Sequence, residues 1–261
     1  LLALALADRS FMDSSQWALF RQTGTGHLLA ISGLHIGFAA LMGYRIGGVL
    51  IWMIGHASRV RMGLGSRWLS ALLLAGAYAS LAGFGVSTVR ALIMLMVAAL
   101  VIGLRRSVGL LTGWTLALCL VLVQSPATPL LPGFWMSFAA VFLLIFAFSP
   151  RQGKQSLITG NLRAQLFIFA GLLPLSMYWF QFLTLLGLVA NLIAIPVVSV
   201  AIVPLVLTGV GLLVIGLDQF ATWALLPAAW MTEGLTRALT WLATIAQHGF
   251  RVTIQPTFPV V

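Results

Sequence analysis

The residues between Gly24 and Gly37 hold the densest set of chemically capable side chains in the chain: Gly24-Thr25-Gly26-His27-Leu28-Leu29-Ala30-Ile31-Ser32-Gly33-Leu34-His35-Ile36-Gly37. Two imidazoles, a serine and a threonine sit where a lipid-facing helix would carry leucine and valine. Polar groups in hydrocarbon are costly unless they are hydrogen-bonded, so this segment must contact something other than lipid.

Three chemistries are open to such residues. A metal site through His27 and His35 is not expected: the eight-residue spacing puts them roughly 80° apart on a helix, and no carboxylate or thiol lies near them in sequence. Ala30-Ile31-Ser32-Gly33 weakly resembles the serine motif of intramembrane proteases, with His35 or His56 as candidate base. His35 lies only three residues on, and His56 falls in a charged loop, so spacing alone does not make a nucleophile and base pair. The third reading is hydrogen-bonded histidines that line a cavity or pack between helices. Gly24, Gly26, Gly33 and Gly37 would then permit close helix contact, and Ser32 would bond across it.

Arg90 is the sharpest candidate outside this stretch. Ser87 can cap a helix, which would place Arg90 at its third position beside the positive pole of the helix dipole. A cation is disfavoured there unless an anion is near, and a guanidinium beside free helix amides is a phosphate-binding arrangement. The alternative is an arginine snorkelling to a lipid headgroup. Asn191 lies deep in an uncharged run near Pro196, where it can bridge helices, bond freed carbonyls or line a channel.

The elements that must position these residues follow from composition. The 261 residues are 61% hydrophobic and 7% charged, with a mean hydropathy of +1.09. So little polar surface could not cover a soluble domain, so the chain reads as a polytopic, all-α membrane protein. One cysteine, Cys119, excludes an internal disulfide. Fourteen Lys and Arg against four Asp and Glu give +10. Loop arginines that set membrane orientation account for this excess without invoking nucleic acid.

Leu1 to Ala7 reads as part of a helix, so the chain is expected to be a domain cut from a longer protein. Asp13 and Gln16 resemble a capping pair for a short amphipathic interfacial helix ending near Gly24. Apolar spans are expected at 28–44, 68–84, 87–104, 108–124, 132–148 and 164–180, with 46–55 either continuing the first or forming an interfacial segment. Alternating crossings put basic loops 56–67, 105–106 and 150–163 on one side, the cytoplasm by the positive-inside rule. The uncharged run 183–217, interrupted by Asn191, Pro196, Ser199 and Pro204, reads as broken or re-entrant half-helices or as two kinked spans. An amphipathic helix over 219–248 pairs Glu233 with Arg237, and 249–261 reads as a strand or linker to a further domain.

The opening stretch closely resembles the signature of the ComEC family, bacterial competence proteins. Val86-Ser87-Thr88-Val89-Arg90-Ala91-Leu92-Ile93-Met94, Gly103-Leu104-Arg105-Arg106, Pro132-Gly133-Phe134-Trp135-Met136-Ser137-Phe138-Ala139-Ala140 and Leu188-Val189-Ala190-Asn191-Leu192-Ile193-Ala194-Ile195-Pro196 resemble later landmarks of the family, in its order. The resemblance implies a single transmembrane channel domain of the bacterial inner membrane that passes single-stranded DNA from periplasm to cytoplasm. It further implies a periplasmic DNA-delivery protein and a cytoplasmic motor as partners, and leaves a homo-oligomer open. Relatives add an outer OB-like domain and a metallo-β-lactamase-like nuclease domain; no His-x-His-x-Asp-His cluster occurs here, so neither enzyme activity nor a cofactor is expected of this chain. DNA-contacting residues would be Arg90, His27, Ser32, His35 and Asn191, with Gly24, Gly26, Gly33, Gly37 and Pro196 serving the packing. A small-solute transporter with broken helices, and the serine hydrolase, are the competing expectations.

Overall fold

The computed structural model describes residues 12–29, 32–58, 64–103, 109–147, 157–180 and 186–249, and among them every regular element is helical. The expected N-terminal half-helix, Arg59, Arg61, Arg105, Arg106, Arg151, Lys154 and the C-terminal linker lie outside the described residues.

Helix α1 (Ser14–Gln22) follows an extended Asp13 whose side chain makes no capping bond, so the expected Asp13 and Gln16 pair does not form. The order lies at its other end. Gly24 takes φ 64, and the Gly24 and Thr25 amides donate back to the Arg21 and Phe20 carbonyls at 3.1 and 2.9 Å. This is a Schellman closure, which needs a left-handed residue.

After a 3-10 turn (Gly26–Leu29) comes α2 (Gly33–Ser58), a single helix that absorbs the 46–55 segment. Helices α3 (Leu64–Leu81), α4 (Val86–Gly103), α5 (Leu110–Gln124) and α6 (Pro132–Ala147) lie within a few residues of the expected spans; α7 (Leu157–Phe180) begins well before Ala164. Residues 186–214 form α8 (Leu186–Pro196), a π segment (Val197–Ile202) and α9 (Val203–Val214) without a gap. The expected half-helices or paired spans are therefore one continuous helix of 29 residues. Its interruption is a wider register: the Val203 amide donates to the Val198 carbonyl, five residues back. Pro204, which has no amide to give, follows directly. Helix α10 (Asp218–Gly249) closes the described chain.

Two stretches, Gly26–Met53 and Leu186–Val214, are long and apolar enough to cross a bilayer by length and composition, and Val86–Ile102, Leu110–Gln124, Pro132–Ala147 and Gln165–Trp179 are shorter apolar helices. The outward surface is greasy: Val123 is 81% exposed, Val200 73% and Leu73 65%. Such a surface suits a membrane protein.

Helix α2 packs on α3, α4 and α9; α4 on α5 and α6; α6 on α7; α7 on α8; and the π segment touches both α2 and α10. Contacts therefore run in a closed circuit through α2, α4, α6, α7 and the α8 to α9 helix. Small residues set the approach, since lipid gives helices no hydrophobic reason to associate. A Cβ on Gly43 would strike the Ser70 carbonyl, and one on Gly47 the Ser70 side chain. Along α2, close contact falls on these two and not on Gly37, which has open space beside it.

Candidate functional site

Thr23 and Thr25, both fully buried, share a hydrogen bond at 2.8 Å. Thr23 Oγ1 also donates to the Leu19 carbonyl at 2.8 Å. His27 sits on the exposed side of this turn with Nδ1 3.1 Å from the Gly24 carbonyl. A carbonyl can only accept, so that nitrogen carries the hydrogen. His27 thus fastens the turn from outside and does not join the buried polar groups.

His35 is the reverse case. It is 3% exposed, and its Nδ1 accepts from the Ser32 backbone amide at 2.8 Å, with Ser32 Oγ 3.0 Å away. An amide can only donate, so this nitrogen is unprotonated. The Ser32 carbonyl accepts from the His35 amide at 3.1 Å. The side chain of His35 therefore makes one half of a capping box at the start of α2, the bond back to the Ser32 amide, with imidazole where Glu or Gln usually stands. The same nitrogen is within reach of the Ser32 hydroxyl, and its shorter bond to the amide ties it to the helix start.

Helix α3 ends in a tight turn, with Gly83 at φ 69 and Phe84 at φ 49. The Gly85 carbonyl then accepts from the Thr88 and Val89 amides at 2.9 and 3.0 Å. Helix α4 so starts at Val86, one residue before the expected Ser87 cap, and Arg90 stands a turn inside rather than at the third position. Burial, not the helix dipole, makes it unusual. Arg90 is 5% exposed; Nη2 donates to Ser137 Oγ at 3.2 Å, and Nε is enclosed without a partner. A Cβ on Gly133 would lie 3.3 Å from Nη2. Gly133 and Ser137, one turn apart on α6, make the notch that seats the guanidinium. Among the described residues no carboxylate pairs with Arg90; the ion pair there is the exposed Glu233 and Arg237. A buried cation without a counter-charge costs much more than one in water. Its unused donors suit an anion or water.

Three of the expected landmarks touch at Arg90 and its neighbour, and a further one packs on the opening stretch elsewhere. Gly33 faces Ala91, beside Arg90, with an added Cβ 3.5 Å from the Ala91 methyl. Arg90 meets Gly133 and Ser137. Leu28 joins Ala190, Ala194 and Val198 in one buried cluster, on which Leu19 and Phe20 of α1 also pack. Next in the chain to Ala190, Asn191 encloses Oδ1 without a partner. Pro196 ends α8 where the π segment begins.

Gln165 on α7 does not stand out in the sequence, yet both its Oε1 and Nε2 are buried and unpartnered. Thr23 is likewise unmarked, and Gly133 and Ser137 lie within a landmark stretch without standing out in it, since small residues in apolar runs carry no signal until a partner appears. Among the described residues no three His, Cys, Asp or Glu could hold a metal.

A family model described as "Competence protein" matches residues 4–261. The chain is 34% identical to "Recombination protein 2" of Haemophilus influenzae, covering 80% of this chain and 28% of that protein. It is 33% identical to "Competence protein ComA" of Neisseria gonorrhoeae, covering 97% and 35%. "ComE operon protein 3" of Bacillus subtilis is 28% identical, covering 90% and 29%. The chain spans about a third of the length of these curated relatives. No solved structure matches. The match over nearly the whole chain establishes that the chain belongs to the competence protein family.

Proposed function

We propose that this domain acts in DNA uptake, as the inner-membrane passage that carries single-stranded DNA from periplasm to cytoplasm. The observation that carries the reading is Arg90: a buried guanidinium with no carboxylate partner among the described residues and an unpartnered Nε, on a helix of the closed circuit. A cation in that state is a place for a passing phosphate. The names of the relatives, a competence protein and a recombination protein, support the same reading. DNA carries a charge on every nucleotide, so a passage for it needs cationic and hydrogen-bonding groups inside, whatever the outside holds.

Alternating helices put the α3 and α7 starts, with Arg67 and Arg163, on one side. The positive-inside rule makes that side cytoplasmic and sets the outer end of α4, with Arg90, toward the periplasm. Delivery of a strand from outside and a motor inside complete the process.

The test is transformation by the chromosomally encoded protein bearing Arg90→Ala. Transformation is lost, while the protein stays at wild-type level in the membrane and DNA still enters the periplasm. Wild-type transformation would overturn the reading.

A further inference from the structure

We infer that Gln165 is a second polar station of the same passage, in its cytoplasmic half; this rests on the passage reading above. Four residues among those described enclose side-chain polar atoms that lack partners: Trp68, Arg90, Gln165 and Asn191. Trp68 belongs to the α2 and α3 contact, stacked edge-on against Tyr44 at 5.3 Å. The other three lie on α4, α7 and α8, three different members of the closed circuit. Three helices of that circuit each enclose a hydrogen-bonding group without a partner. Gln165 is the most demanding, because both its donor and its acceptor are unmet. An amide in that state needs water or a ligand.

Position separates the stations. Arg90 lies about 6 Å from the start of α4, and Gln165 about 12 Å from the start of α7, at 1.5 Å rise per residue. With successive helices crossing in alternate directions, those two starts fall at opposite ends of the bundle. Arg90 and Asn191 occupy the outer half and Gln165 the inner. Its lack of charge suits an inner position, because a polyanion held by one buried cation must also leave, and conduction requires sites that bind weakly. An uncharged amide both donates, through its two N–H bonds, and accepts, through its oxygen, which suits a nucleobase edge or its water without trapping phosphate.

The experiment is thiol accessibility in the protein with Cys119→Ala. Gln165→Cys, Arg90→Cys and, as control, Phe167→Cys are treated in oriented vesicles with a charged, membrane-impermeant thiosulfonate. Phe167 is 43% exposed on the outer surface of the same helix. Gln165→Cys is expected to react from the cytoplasmic face at least tenfold faster than Phe167→Cys. If Arg90→Cys reacts and Gln165→Cys does not, the inference fails and the passage stands. If neither reacts, the passage reading fails with it. Should Gln165→Cys not accumulate, Gln165→Leu carries the test: transformation falls about tenfold, and a wild-type level overturns the inference.

Discussion

The guanidinium of Arg90 lies in a notch on α6, donating to Ser137 at 3.2 Å over the bare backbone of Gly133. Residues far apart in sequence thereby depend on one another, and the dependence has a direction. Removing Ser137 Oγ takes away an acceptor; filling Gly133 moves the cation itself. A hydrogen bond to a charged group contributes about 1.5–3 kcal/mol. Ser137→Ala should lower the detergent-solubilised protein's stability by that order, while Gly133→Leu, which displaces the guanidinium, should lower transformation more than Ser137→Ala does. Thermal unfolding and transformation frequency, measured side by side, check both.

The bond from the Ser32 amide to His35 makes a prediction that separates structure from catalysis. Gln can accept from the Ser32 amide as the imidazole does, and Leu cannot. His35→Gln should keep the fold and transformation, and His35→Leu should lose about 1 kcal/mol of stability, the usual cost of a lost cap. If His35 instead served Ser32 as a base, Gln would be as damaging as Leu and a fluorophosphonate would label Ser32.

What is legible in the sequence depends on the kind of signal. Apolar runs and basic loops locate α2 to α7, because crossing lipid requires length and greasiness that composition displays directly. Arg90 stands out because a charge in such a run is conspicuous. Its partners do not, since Gly133 and Ser137 matter only through a contact between two helices. The 183–217 run misleads because proline's missing amide can be absorbed by a π register as well as by a break; that depends on the packing of Val198 and Ile202 against α10, which no local pattern reveals. Gly37 looks like a packing glycine by spacing, and Gly43 and Gly47 hold that role by rotation about the helix.

Those two glycines are directly testable. A side chain at Gly43 meets the Ser70 carbonyl and Ala71 backbone, which cannot yield as a flexible side chain would. Overpacking of this kind typically costs about 1–3 kcal/mol. Gly43→Leu should reduce the yield of folded protein, and Gly37→Leu, beside open space, should not; fluorescence-detected size-exclusion profiles distinguish them.

Arginine at position 237 is the counterpart to Arg90. It pairs with Glu233 one turn back, with the two side chains 79% and 61% exposed. Exposed pairs of this spacing contribute about 0.3–0.5 kcal/mol. Arg237→Ala should leave thermal stability and transformation near wild type. A loss as large as that of Arg90→Ala would mean that net positive charge, not buried placement, is what matters.

If DNA travels inside the helix circuit, it must pass the enclosed Asn191 Oδ1. A photoreactive benzoylphenylalanine placed at Asn191, and in a second strain at Val189, 47% exposed on the same helix, addresses this during uptake of labelled DNA. A DNA adduct is expected at 191 and none at 189. An adduct at 189 alone, or none at 191 in a strain that still transforms, would contradict an interior path.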